Sequence, residues 1–135
     1  MIGAKLFGKT WQVVSEALKV RLMRHEVIAA NIANVDTPGY SRKDIPFEKV
    51  MAAYLKGSPP LKTTNPRHIK PGLAPDGGIP LVEEEPPVEG TPNNVSLEQE
   101  MAKLSENNLM YQATIQALMK EIELLREAIT EGGKR

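Results

Sequence analysis

Apolar residues recur through the last third of the chain at Leu97, Met101, Leu104, Tyr111, Ile115, Leu118, Ile122, Leu125 and Ile129, with Asn108 the strongly polar member of the row. The steps alternate between four and three, which is a heptad seam and predicts a helix over 96–130. Ser96 with Gln99 fits a capping box at its start, and Gly132–Gly133 fits its end. Such a helix is roughly 50 Å long. That exceeds what one small core covers, so a partner along its length is expected. An ordinary long helix in a bundle is the plainer alternative.

A second helical pattern spans 10–35. Trp11, Val14, Leu18, Leu22, Ala29 and Ile32 share one face, interrupted by Ser15 and His25, and Val13, Val20 and Val27 form a second row. A face this wide can touch more than one neighbour. The two polar interruptions, His25 and Asn108, suggest how the helices pair. Each costs roughly 1–3 kcal/mol if buried alone, so an antiparallel pair that sets them opposite each other relieves both. This register has a residue-number sum of 133. It sets Leu22 near Tyr111, Leu18 near Ile115, Trp11 near Ile122, Ala29 near Leu104 and Ile32 near Met101.

Between these helices, 46–56 reads as a short helix, with Pro46 in the first turn and Gly57 as its stop. Phe47, Val50, Met51, Tyr54 and Leu55 have the spacing of one buried face. Residues 57–95 hold nine of the eleven prolines and five of the ten glycines, too many for a regular helix. Asp76–Gly77–Gly78 is a candidate hairpin turn between extended runs near Ile69 and Leu81. Glu83, Glu84 and Glu85, followed by Pro86–Pro87, read as solvated extended chain. The expected fold is therefore mainly α in one domain spanning 1–135. Two long terminal helices pair antiparallel in a coiled-coil-like core, beside one short helix and an irregular Pro/Gly-rich middle.

Composition narrows the function. Lysine plus arginine equals aspartate plus glutamate at 17 each, so there is no basic footprint for nucleic acid. The absence of cysteine excludes disulfides, thiolate metal sites and thiol catalysis. No apolar run approaches the ~20 residues that span a bilayer. The charges at Lys5, Lys9, Glu16, Lys19 and Arg21 leave no apolar stretch with a cleavage site, so no cleaved signal peptide is expected.

Candidate chemistry is sparse. His25 and His68 lack ligand partners at helical spacing, and Gly77–Gly78 runs into Pro80 without a phosphate-loop Lys-Ser/Thr. No nucleophile elbow is present. Glu98, Glu106, Glu121, Glu123 and Glu127 are explained as solubilising charges on helix faces. No catalytic, cofactor or metal site and no small-molecule substrate is expected, and the chain does not read as an enzyme.

The informative segment is Asn31-Ile32-Ala33-Asn34-Val35-Asp36-Thr37-Pro38-Gly39-Tyr40. Ala29, Ala30 and Ala33 permit close approach of another helix. Asn31 and Asn34 can hydrogen-bond backbone where the helix ends. Pro38 pushes Thr37 out of helical conformation, and Pro38–Gly39 fits the centre of a type II turn. Physics alone reads this as a helix stop followed by a turn.

The same segment resembles the N-terminal signature of the flagellar rod and hook axial proteins. Asn93-Asn94-Val95-Ser96-Leu97-Glu98-Gln99-Glu100-Met101 and Leu104-Ser105-Glu106-Asn107-Asn108-Leu109-Met110-Tyr111-Gln112 look like a small proximal-rod subunit, of the B type rather than the C type. The resemblance covers 11–55 and 93–130. It implies terminal helices paired into a core that packs against neighbours. It also implies a place in the flagellar basal body on the periplasmic side, reached by type III export without a cleaved signal. The implied partners are other rod subunits and the basal ring or export gate. A cytosolic helical adaptor or secretion chaperone is the reading from another class; it would need no Thr37-Pro38-Gly39 turn.

Overall fold

Long runs of helix-compatible Leu, Ala, Val, Ile, Glu and Lys dominate both termini, and both fold as helices in the computed structural model, which describes residues 2–57, 83–85 and 94–133. In chain order these are α1 (Ile2–Ala33), β1 (Arg42–Asp44), α2 (Phe47–Leu55), β2 (Glu83–Glu85) and α3 (Leu97–Gly132). Helix α1 begins eight residues before the expected position 10. Two i, i+4 contacts support that extra length: the Thr10 hydroxyl donates to the Leu6 carbonyl at 3.0 Å, and the Phe7 and Trp11 rings sit 6.4 Å apart.

Helices α1 and α3 pack side by side and run antiparallel. The Asn107 amide donates to the Arg21 carbonyl at 2.8 Å, and the Asn31 amide donates to the Glu100 carboxylate at 2.9 Å. Moving up α1 therefore moves down α3. The residue-number sums of these contacts are 128 and 131, two to five short of the expected 133. The physical reason lies in which polar residues are buried. Asn107 and Glu100 face α1 with hydrogen-bond partners, while His25 and Asn108 both stay exposed at the rim of one shallow cleft with Leu22 and Tyr111.

The contact face of α3 is accordingly rotated from the apolar row. Leu104, Tyr111, Leu118 and Leu125 are half-buried, as is Ile115 beside them. The other row shifts one residue toward the N-terminus, from Met101 and Asn108 to the fully buried Glu100 and Asn107. Met101 and Ile122 remain exposed, as does Leu22 on α1, whereas Leu18 and Ile32 are half-buried. Counting apolar positions alone misplaces the seam because satisfied polar groups take two of its central places.

The second row of α1 serves a different neighbour. Val20 is buried with Ile45, Val50 and Met51, and Val13, Ala17, Met23, Val27 and Phe47 pack around them. Helix α2 thus covers one side of α1 while α3 covers another. Pro46 is the N-cap of α2 rather than its first helical residue, and Gly57 follows its end at φ +71°. Val50 and Met51 are buried, but Tyr54 and Leu55 face outward. Ser96 caps α3 by position with no side-chain bond among the described residues, so the expected capping box does not form; Gly133 is its C-cap.

Strands β1 and β2 pair antiparallel, Arg42 with Glu85, Lys43 with Glu84 and Asp44 with Glu83. The acidic run expected as free solvated chain is extended but paired, because each glutamate lies across from the β1 segment and Glu85 meets Arg42 at 3.3 Å. The hairpin expected around Asp76–Gly77–Gly78 lies outside the described residues.

Candidate assembly site

The end of α1 is built by its own side chains. The Asn34 amide donates to the Ala30 carbonyl at 2.8 Å, and the Thr37 hydroxyl donates to Asn34 Oδ1 at 3.1 Å. The chain then reverses over Thr37–Tyr40, where the Tyr40 N–H donates to the Thr37 carbonyl at 3.3 Å. Gly39 sits at φ +74° in the third position of this turn. Proline cannot take positive φ, so Pro38 in the second position makes it a type II turn.

Asn31 uses all its hydrogen-bonding capacity. Its amide donates to the Lys43 carbonyl at 2.6 Å and to Glu100 at 2.9 Å, while its Oδ1 accepts from the Lys43 N–H and the Tyr40 hydroxyl, both at 3.1 Å. An asparagine side chain offers two donors and two acceptor lone pairs, and all four are taken. One fully buried side chain thereby joins α1, the turn, β1 and α3. Asn94 does similar work at the other end of the sheet, accepting from the Arg42 N–H at 3.0 Å and donating to the Glu85 carbonyl at 2.8 Å.

A charged cluster surrounds this node. The Arg42 guanidinium bonds Glu100, Asp44 and Glu85, and Arg24 clasps both oxygens of Asp44 at 2.9 and 3.3 Å. Burial disfavours the Asp44 charge, but the hydrogen bonds and positive charge of Arg24, the Ile45 N–H and Arg42 outweigh it, and its carboxyl sits below the usual range. Arg24 is held above its usual value mainly by its bond to Asp44. Burial works against Arg42, yet Glu100 and the other carboxylates raise it overall. Burial, with the charges of Glu100 and Glu84, pushes the Tyr40 hydroxyl up.

One helical level away, Arg21 lies under the Phe47 ring, its guanidinium carbon 3.8 Å from the ring centre, and reaches Asn107 Oδ1 at 3.5 Å. Burial lowers its pKa.

The signature thus divides. Asn31 is buried and Asn34 and Tyr40 are half-buried, whereas Asp36, Thr37, Pro38 and Gly39 are exposed as a surface turn. Sequence reasoning missed Arg21, Arg24, Arg42, Asp44, Glu100 and Asn107. The available signal was the heptad spacing of Glu100 and Asn107 beside an apolar row, which marks two polar residues for the same helix face. Among the described residues, no group of three His, Asp or Glu is arranged to hold a metal, and no helix is long and apolar enough to cross a membrane.

Away from this cluster the helices carry bare apolar surface. On α1, Leu6 and Trp11 are exposed; on α3, so are Met119, Ile122, Leu124 and Ile129. Met119 and Ile122 line an open depression with Gln116, Lys120, Glu123 and Arg126. The arrangement offers a fixed turn and two apolar helix ends.

Residues 12–40 match the family model described as flagella basal body rod protein. Over 130 residues the chain is 34% identical to a protein of Aeromonas hydrophila named flagellar basal body rod protein FlgB, covering 91% of this chain and 94% of that one. The protein of the same name from Salmonella typhimurium is 32% identical over 126 residues, 87% of this chain and 90% of its own. That from Bacillus subtilis is 29% identical over 129 residues, 96% and 98% respectively.

Proposed function

The chain belongs to the FlgB family of flagellar basal body rod proteins, and on that premise we propose that its terminal helices and its exposed turn are the surfaces by which it joins the proximal rod. It is a structural component of the basal body rod, and it assembles with other rod components. The finer reading puts it on the periplasmic side, exported without a cleaved signal, with the basal ring or export gate among its neighbours and no enzymatic activity of its own.

The observation that carries this reading is the apolar surface left bare on the paired helices. Leu6 and Ile129 are 63% and 75% exposed, Met119 63% and Leu124 50%. Apolar surface of this kind, spread along helices that one chain leaves uncovered, marks a protein-binding face. The single-residue turn geometry at Gly39 adds a second contact point whose shape the buried Asn31 node holds fixed. Neither feature suits a self-contained chaperone.

The test is to delete the gene, complement it with a tagged chain, and purify basal bodies. Recovery of the tag in the rod, with loss of motility in the deletion strain, supports the reading. A tag confined to the cytosol, in cells that still build complete rods, overturns it in favour of an adaptor or chaperone.

A further inference from the structure

We infer that the two buried polar residues of α3, Glu100 and Asn107, select the register in which α1 and α3 pair, because the apolar seams alone do not. The rows facing each other repeat every seven residues. On α3, Leu104, Tyr111, Leu118 and Leu125 are heptad equivalents; on α1, Trp11, Leu18 and Ile32 are, with His25 between them. Sliding one helix by seven residues, about 10.5 Å, sets Leu and Tyr against Trp, Leu and Ile again. Apolar packing of similar volume is tolerant of such exchanges.

The polar groups are not equivalent under that slide. Glu100 and Asn107 also lie seven apart, but their partners differ. Glu100 takes Arg42 and Asn31, and Asn107 bonds both the carbonyl and the guanidinium of Arg21. If α3 moved so that Asn107 met Arg42, Glu100 would pass beyond the α1 end, and Arg42 would be buried without that carboxylate. If α3 moved the other way, Glu100 would meet Arg21, and Asn31 and Arg42 would again lose their carboxylate. A buried charge stripped of its partner is strongly destabilising. A polar group at a helix seam that fixes register at some cost in stability is an attested device. Here it fixes the axial offset between the exposed turn Asp36–Gly39 and the apolar ends of both helices. This inference concerns the isolated chain and stands or falls apart from the assembly reading.

The chain has no cysteine, so paired cysteines report register directly. Continuing the observed number sums of 128 to 131 one turn along α1 puts Leu18 level with Tyr111. Leu18→Cys is combined with Tyr111→Cys for the native register, and with Leu104→Cys or Leu118→Cys for slips of one heptad. A disulfide forms only where Cα atoms come within about 7 Å. In the otherwise native chain, only the Tyr111 pairing should cross-link within the monomer. The same pairs are then read in R21M/R42M/E100L/N107L, which replaces both buried cations together with their partners on α3 rather than stranding either. There, slipped cross-links should rise at least about tenfold over the native background, with helicity retained by circular dichroism. If that variant loses helicity, R42M/E100L, which keeps Asn107 and Arg21, is scored by the same pairs and should slip above the native background by a smaller factor, about threefold. Native-only cross-linking in the folded variant overturns the inference.

Discussion

Tyr40 and Asn31 lie nine residues apart, and the Tyr40 hydroxyl donates to Asn31 Oδ1 at 3.1 Å across the turn that separates them. The bond closes the loop between α1 and β1. It ties a surface turn to the buried side chain that also holds Glu100 and both backbone groups of Lys43. The turn therefore inherits its position from the helix pair, and a change at Asn31 should be felt by all of them.

Asn31→Ala removes four hydrogen bonds and leaves buried groups of Lys43, Tyr40 and Glu100 to find other partners. At roughly 1–3 kcal/mol for each stranded buried group, partly relieved by relaxation, a loss of about 3 kcal/mol is expected. Urea unfolding followed by circular dichroism reads it. Asn31→Asp should cost at least as much, because a carboxylate cannot donate to Glu100 or to the Lys43 carbonyl. A loss below about 1 kcal/mol for either variant would mean that the node is not structural.

Gly39→Ala tests the turn by itself. Gly39 has φ +74°, and a Cβ built there meets nothing within 4 Å, so the cost is backbone strain rather than a clash. About 1 kcal/mol is expected, with the helices intact. Replacing Pro38 and Gly39 together should leave the chain folded and secreted while motility falls. Normal swarming by that double variant would remove the turn from the assembly surface.

Acid should loosen the cluster through Asp44. Its carboxyl is held below the ordinary 3.8 in the folded chain. A depressed folded value means the stabilisation is fully present above the unfolded pKa and is lost as pH falls through the folded one. The stability difference between the native chain and Asp44→Asn should therefore be flat above about pH 5 and shrink below about pH 4. A difference that stays constant down to pH 2, or that shrinks near neutrality, would assign the acid sensitivity elsewhere.

Burial fades toward the α1 start and the α3 end, where Leu6 and Ile129 are mostly solvent-facing. Helical stability comes mainly from packing, so these ends should fray when the chain is alone. Hydrogen exchange should be fast over 2–12 and 126–133 and slow near Val20, Ile28 and Asn107. Uniform protection would describe a self-sufficient bundle.

Much of this architecture was legible in the sequence, for reasons that also explain the rest. The heptad steps of α3, the two apolar rows of α1 and the Pro38–Gly39 pair act locally, through periodicity and backbone preference, and the helices and turn follow from them. The burial of Glu100 and Asn107 depends on Arg42, Asn31 and Arg21, residues 58 to 86 positions away, and no local pattern announces such pairing. His25 and Asn108 do share one cleft with Leu22 and Tyr111, but as exposed residues, because burial goes to neighbours that have partners. The antiparallel sense followed correctly because either polar pair demands it. Strand β2 has no local signature, because three glutamates look solvated until Arg42 and Lys43 are set across from them.

If the proposed assembly is right, the bare apolar ends of the paired helices are buried by neighbouring subunits in the rod. Leu6 and Ile129 are 63% and 75% exposed, so serine at both positions should cost the isolated fold little. The decisive measurement is the amount of the Leu6→Ser/Ile129→Ser chain in purified rods from a deletion strain, beside its circular dichroism and its level in the cell. The expected result is a folded, normally abundant chain that is absent from rods, in cells that do not swim. Incorporation at the native level in motile cells would contradict it.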